Sequence, residues 1–142
     1  MNAATATLPE QVELSVTRLA HVLFRGAGPG LSRSAASALH RIATTGPQRI
    51  TELAAYESIA QPSATTLVGR LEGQGLVTRG QDPADGRAVL VAITPAGQTL
   101  LDERRRTRAA TLGAQIDALD PEERQTLFDA VPILERLAEA TA

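Results

Sequence analysis

Residues 50–97 read ITELAAYESIAQPSATTLVGRLEGQGLVTRGQDPADGRAVLVAITPAG. Two hydrophobic periods meet in this stretch, 3.6 residues before Gly73 and 2 residues after Gly75. Ile50-Thr51-Glu52-Leu53-Ala54 opens a short helix with Thr51 as its N-cap. After a brief connection, Ser58 to Ala60, Gln61-Pro62-Ser63 reads as the N-cap, first and second positions of another helix, because proline's fixed φ suits a first turn and its missing N–H would be unpaired there anyway. Leu67, Val68 and Leu71 point inward from this helix, which ends near Gly73 to Gly75. Leu76 to Arg79 and Val89 to Ile93 are then β-rich runs around a turn-rich tip, Asp82-Pro83-Ala84-Asp85-Gly86-Arg87.

Two short helices followed by a hairpin with a charged tip describe a winged helix-turn-helix, whose second helix enters the DNA major groove while the first braces it. The expected contact residues are Gln61, Pro62, Ser63, Thr65, Thr66 and Arg70 on that second helix and Asp85 and Arg87 in the hairpin. Small hydroxyls can approach base edges or phosphates, and the unpaired N–H groups of the first turn offer a phosphate site. An arginine on a narrow ribbon fits the minor groove, where the negative potential is strongest at narrow A/T-rich stretches, and Asp82 or Asp85 would orient it. Each residue also has a plainer reading. Ser63, Thr65 and Thr66 are ordinary helix-start chemistry, Arg87 is a solvated turn residue, and Arg49 and Arg79 are surface strand charges or phosphate contacts.

Helices flank this unit on both sides. Leu8 to about Ala27 carries a helical apolar stripe that Gly26-Ala27-Gly28-Pro29-Gly30 stops, and Ser32 caps a helix with Ala35, Leu39 and Ile42 inside. Thr94-Pro95 launches a long helix, and Asp120-Pro121-Glu122-Glu123 starts a last one that Pro132 should kink. The fold class expected is mainly α with a small β-hairpin wing. One compact domain spans 1–142, with residues 31–94 as the winged helix-turn-helix and 8–30 and 95–142 as dimerisation helices.

The composition excludes several functions. The 142 residues hold no cysteine and two histidines, so thiolate zinc sites, disulfide scaffolds and cysteine nucleophiles are absent and a histidine-rich metal site is not expected. No cofactor is implied. Aromatics make up 2%, which argues against base stacking as a binding mode. Met1 to Thr7 lacks the features of a signal peptide and no membrane-length apolar run exists, so the chain reads as soluble and cytoplasmic, with no membrane partner. All 14 basic residues are arginine against 16 acids, and the segment 31–93 carries a net charge of only +1. Nonspecific DNA affinity should be modest, and binding should rest on shape-matched docking.

Ile50 to Ala54, Pro62-Ser63, Leu67-Val68, Leu71-Glu72, Gly75 to Arg79, Asp82-Pro83, Asp85-Gly86-Arg87 and Ile93-Thr94-Pro95-Ala96-Gly97 together resemble the multiple-antibiotic-resistance regulator (MarR) family of transcription factors. The resemblance implies a homodimer on double-stranded palindromic DNA, and in most members repression relieved by a small, often phenolic or anionic, effector. Three features depart from the pattern. Gly69 and Gly73 weaken the recognition helix by about 1 kcal/mol each relative to alanine, the lack of cysteine excludes peroxide sensing by a thiol, and Pro132 interrupts a helix that in the family helps form the dimer.

His21, Arg25 and His40 are the candidates for effector binding, the plainer reading being interface residues. Arg104-Arg105-Arg106 with Arg108 fans around a helix and so suits ion pairing with acids such as Glu103 or Glu139 better than one phosphate stripe. The function read from the sequence is a sequence-specific DNA-binding repressor. The alternative is a winged-helix protein-interaction module that never touches DNA. An enzyme stands third, with Ser63 and His40 the only imaginable catalytic pair.

Overall fold

The computed structural model describes residues 6–25 and 30–141. Its elements run α1 (Leu8–Arg25), α2 (Arg33–Thr45), β1 (Gln48–Arg49), α3 (Ile50–Tyr56), α4 (Gln61–Gly73), β2 (Val77–Asp82), β3 (Asp85–Ile93), α5 (Pro95–Asp117) and α6 (Pro121–Thr141). The expected stop at Gly26 to Pro29 lies outside the described residues. Among the described residues no helix is long and apolar enough to cross a membrane.

The chain divides into two compact units, 25–106 and the pairing of 1–24 with 107–142. The first takes in the expected 31–94 and the opening turns of α5. Its core is aliphatic, as the scarcity of aromatics requires: Leu39 and Ile42 from α2, Leu53 from α3, Val68 and Leu71 from α4, Val77 and Val91 from the sheet, all essentially inaccessible. Burying such side chains contributes roughly 1.5–3 kcal/mol each. The sheet has order β1-β3-β2, both pairs antiparallel. β1, only two residues long, is too short to show any period in the sequence.

The hairpin ladder is regular from Val77 opposite Ile93 to Gln81 opposite Val89, so the second strand of the pair matches the expected Val89 to Ile93 while the first runs past the expected end at Arg79. The ladder then slips. Asp82 pairs with Asp85, so Gly86, Arg87 and Ala88 have no partner on β2 and bulge from the ladder. Asp82 Oδ1 accepts the Ala84 N–H at 2.8 Å, and Pro83 supplies the fixed φ that such a turn favours. The tip is thus two residues of turn plus a three-residue bulge rather than one open loop.

Two helix starts fall earlier than the sequence suggests. The N-cap of α3 is Arg49, not Thr51, because Glu52 reaches back to accept the Arg49 N–H at 2.6 Å and satisfies a first-turn donor. The N-cap of α4 is Ala60, which puts Gln61 and Pro62 inside the helix. Ser32 caps α2 as expected, its hydroxyl accepting the Ala35 N–H at 3.1 Å. Asp120 and Glu123 exchange bonds at the start of α6, again as expected.

α3 and α4 end in the same way. Ile59 and Ser58 donate to Ala54 and Ala55, and Leu76 and Gly75 donate to Leu71 and Glu72, each a Schellman closure whose hinge residue has positive φ. At Gly75 the φ of 71° is natural, whereas Ser58 adopts 53° with a Cβ that disfavours it. Ser58→Gly should therefore raise stability by about 0.5–1 kcal/mol, the gain being reduced by the extra freedom of the unfolded chain. Urea titration would measure it; a loss of stability would contradict the hinge assignment.

In the other unit, α1 and α6 contain no buried residue among those described, and Leu19, Val22, Phe24, Phe128, Val131 and Leu134 are exposed in the single chain. α6 continues through Pro132 as one helix, so the expected interruption does not occur. The proline forgoes one backbone bond, a loss that a helix of 21 residues tolerates. Within this unit Arg108 stacks on the Phe24 ring, 5.0 Å from its centroid.

Candidate nucleic-acid interface

α4 is two-faced. Ala64, Val68 and Leu71 are buried at i, i+4 and i+7, which turns Gln61, Pro62, Ser63, Thr65, Thr66 and Arg70 outward together. All six predicted residues of this helix thus lie exposed. No side chain caps its start, which leaves first-turn N–H groups directed off the end, and Pro62 at the second position removes one of them. The hydroxyls of Thr65 and Thr66 donate to the Gln61 and Pro62 carbonyls, both at 3.0 Å. Their protons are committed, so towards a base edge each threonine offers an oxygen acceptor and a methyl group. Adenine and cytosine amino groups and the thymine methyl are the complementary features of the major groove.

Neither glycine of α4 is demanded by a close approach of another group. A Cβ at Gly69 would lie 3.4 Å from Arg79 Nη2, and one at Gly73 would meet nothing within 4 Å. Both glycines fit inside α4 without a break. Arg79 is neither a free strand charge nor a free phosphate contact: it crosses from β2 to α4, with Nε 3.0 Å from Glu72 Oε2.

Arg87 is exposed on the bulge, its N–H donating to Asp85 Oδ1 at 3.1 Å. Among the described residues its guanidinium makes no ion pair. The expected fork from Asp82 or Asp85 is therefore absent. Asp85 holds only the Arg87 backbone, and Asp82 is taken by Arg49, whose Nε lies 2.8 Å from Asp82 Oδ2 and whose Nη2 shares the same oxygen. Sequence proximity pointed to the wrong arginine. A partner 33 residues away carries no local signal.

Asp82 is the buried carboxylate of the unit. The Ala84 N–H and then the Arg49 guanidinium hold its carboxyl below the usual range, against the opposing effect of burial. The Asp82 carboxylate in turn raises Arg49, first through its hydrogen bond and then through its charge. A carboxylate depressed in the folded state stabilises at pH values above its unfolded pKa, near 3.9 by the usual reference, and loses that effect as pH falls through the folded value. The melting difference between the native chain and Asp82→Asn should accordingly stay constant from about pH 8 to about pH 5 and narrow only below about pH 4. A difference that vanished near neutrality would contradict the ion pair.

His21, Arg25 and His40 are each exposed on α1 or α2 in the single chain. A depression of about 170 Å³ in the winged-helix unit is lined by Gly30, Leu31, Gln74, Leu76, Leu100 and Arg104. No cluster of three or more His, Asp or Glu among the described residues is arranged to hold a metal ion.

A sequence profile of the MarR family matches residues 31–89. The HTH-type transcriptional regulator MT0903.1 of Mycobacterium tuberculosis is 34% identical over 130 residues, 91% of each chain. The chain belongs to the MarR family. A solved transcriptional regulator of Pseudomonas aeruginosa superposes with a TM-score of 0.79 at 30% identity, covering 92% of this chain and 93% of that one. BpsR of Bordetella bronchiseptica shares the fold, with a TM-score of 0.60 at 21% identity over 97% of each chain. Among the readings left open by the sequence, MarR membership selects a DNA-binding transcriptional regulator over a protein-interaction module and over an enzyme.

Proposed function

We propose that this MarR-family chain is a homodimeric repressor whose two α4 helices and hairpins engage one palindromic duplex. The observation that carries the reading is the exposed polar face of α4, with its uncapped start, joined in one compact unit to a hairpin that projects an unpaired Arg87. α1 and α6 supply the second half of the argument. They bury nothing of their own and expose a stripe of large apolar residues, the composition of surfaces that a second copy covers across a twofold axis. Twofold pairing then sets two recognition helices about 34 Å apart, the spacing of successive major grooves.

Phe128 and Val131 are 72% and 45% exposed in the single chain and suit the test. Light scattering should give a dimer for the native chain and a monomer for Phe128→Asp/Val131→Asp. The monomer should bind a duplex selected from random sequence about 100-fold or more weakly, because the second half-site no longer adds to the first. A native monomer, or a double variant with undiminished affinity, contradicts the proposal.

Release by a small phenolic or other organic anion completes the reading. In BpsR, DNA binding is regulated by 6-hydroxynicotinic acid, a molecule of that class. An effector acts only by favouring a state that binds DNA less well. A compound that raises the melting temperature while lowering duplex affinity would identify it.

A further inference from the structure

We propose that Arg49 is a positioning residue for DNA binding, which through Asp82 fixes the hairpin tip against the helix-turn-helix and so sets where Arg87 meets the duplex. The inference rests on the reading of Arg87 as a DNA contact. Arg49 belongs to three structures at once. It pairs with Leu90 as the second residue of β1, its N–H is bound by Glu52 at the start of α3, and its guanidinium holds Asp82. Asp82 is the last β2 residue before the turn and the point where the ladder slips. Its two oxygens have separate tasks: Oδ1 binds the turn at Ala84, and Oδ2 binds Arg49. The bulge that carries Arg87 therefore begins at a carboxylate tied to α3.

The alternatives assign Arg49 to a phosphate or to general stability. Its Nε–H and one Nη2–H are engaged by Asp82, so one of the two donor edges of the guanidinium is turned to the hairpin rather than to DNA. A pair whose arginine is 39% exposed is discounted by solvent screening, and the stability that Asp82 adds is shared with its bond to the Ala84 N–H. What it does constrain is direction. Without it, the hairpin remains paired through its ladder while the tip gains freedom, and a contact that must be ordered on binding is weaker than one already held in place.

A double-mutant cycle with Arg49→Gln and Arg87→Ala on the selected duplex separates these roles. Arg49→Gln is expected to weaken binding on the order of tenfold, to leave the slope of log affinity against log salt unchanged, and to have little further effect once Arg87 is alanine. Arg49→Lys should recover part of the loss. Amide exchange without DNA should quicken at Ala84 and Arg87 and remain unchanged in α4. Additive effects in the cycle, or a salt slope reduced by about one for each arginine removed, would make Arg49 an independent contact and overturn the proposal. Asp82→Asn guards against misfolding of one variant: it should reproduce the loss, whereas tighter binding from a freed Arg49 would overturn the proposal. If Arg87→Ala alone has no effect, the DNA role of Arg87 fails and the positioning role with it. Slow, unaltered exchange at the tip in Arg49→Gln would sink the tether alone.

Discussion

Replacing Gly97 with alanine is expected to lower the stability of the winged-helix unit by about 2–3 kcal/mol, a fall in melting temperature of roughly 10–20 °C for a unit of this size. Gly97 is buried in the first turn of α5, where the helix lies directly on the chain leaving α4. Thr94 locks that contact. Its N–H donates to the Leu76 carbonyl at 3.0 Å, its hydroxyl donates to Gly75 at 2.6 Å, and the same oxygen accepts the Gly97 N–H at 3.0 Å. A Cβ at Gly97 would overlap the Leu76 carbonyl oxygen and come within 2.8 Å of Ile93 Cγ1. The first obstacle is backbone and cannot rotate away. Alanine's better helix propensity, about 1 kcal/mol, is too small to compensate. A variant that melts at or above the native temperature would show that α5 does not begin against Leu76. The close approach also gives a physical reason for glycine in the Thr94-Pro95-Ala96-Gly97 run noted in the sequence.

Arg87→Ala should produce the largest change in DNA affinity of any single substitution. An arginine contact to DNA bases is worth about 1–3 kcal/mol, and a dimer loses two, so binding to the selected duplex should fall by about 30-fold or more. The loss should concentrate on duplexes with narrow A/T-rich flanks, with little change where the flanks are G·C-rich. Fluorescence anisotropy on the two duplex types reads the difference. Thr66→Val provides the contrast: it keeps the shape and methyl group and removes the acceptor oxygen, so base preference at the half-site should shift while the flank preference persists. Equal affinity of Arg87→Ala and the native chain on A/T-flanked duplexes would remove the hairpin from the interface.

The parts of the structure legible in the sequence are those encoded by neighbours. Ser32, Thr94 and the Asp120–Glu123 exchange cap helices within three residues, and the β-rich runs Leu76 to Arg79 and Val89 to Ile93 mark the ladder, although its continuation through Gly80 and Gln81 carries no β signal. The outward face of α4 follows from helical geometry once Ala64, Val68 and Leu71 are placed inside. Thr51 and Gln61 misled because a capping residue type is not a cap: Glu52 satisfies the start of α3 from inside the helix, and α4 starts with no side-chain cap at all. The Arg49–Asp82 tether was invisible for another reason. A bond across 33 residues exists only after β1 has joined the far edge of β3, and no local spacing encodes that event. His21, Arg25 and His40 were grouped by chemistry, and in the single chain each is exposed on a helix.

The claim on which the account rests is that two chains present two α4–hairpin pairs to one side of a single duplex. Inserting about five base pairs, half a helical turn, between the half-sites of the selected duplex tests it most directly. The insertion should abolish the complex at protein concentrations that saturate the original, because the second half-site is carried to the opposite side. Undiminished binding to the lengthened duplex would contradict it.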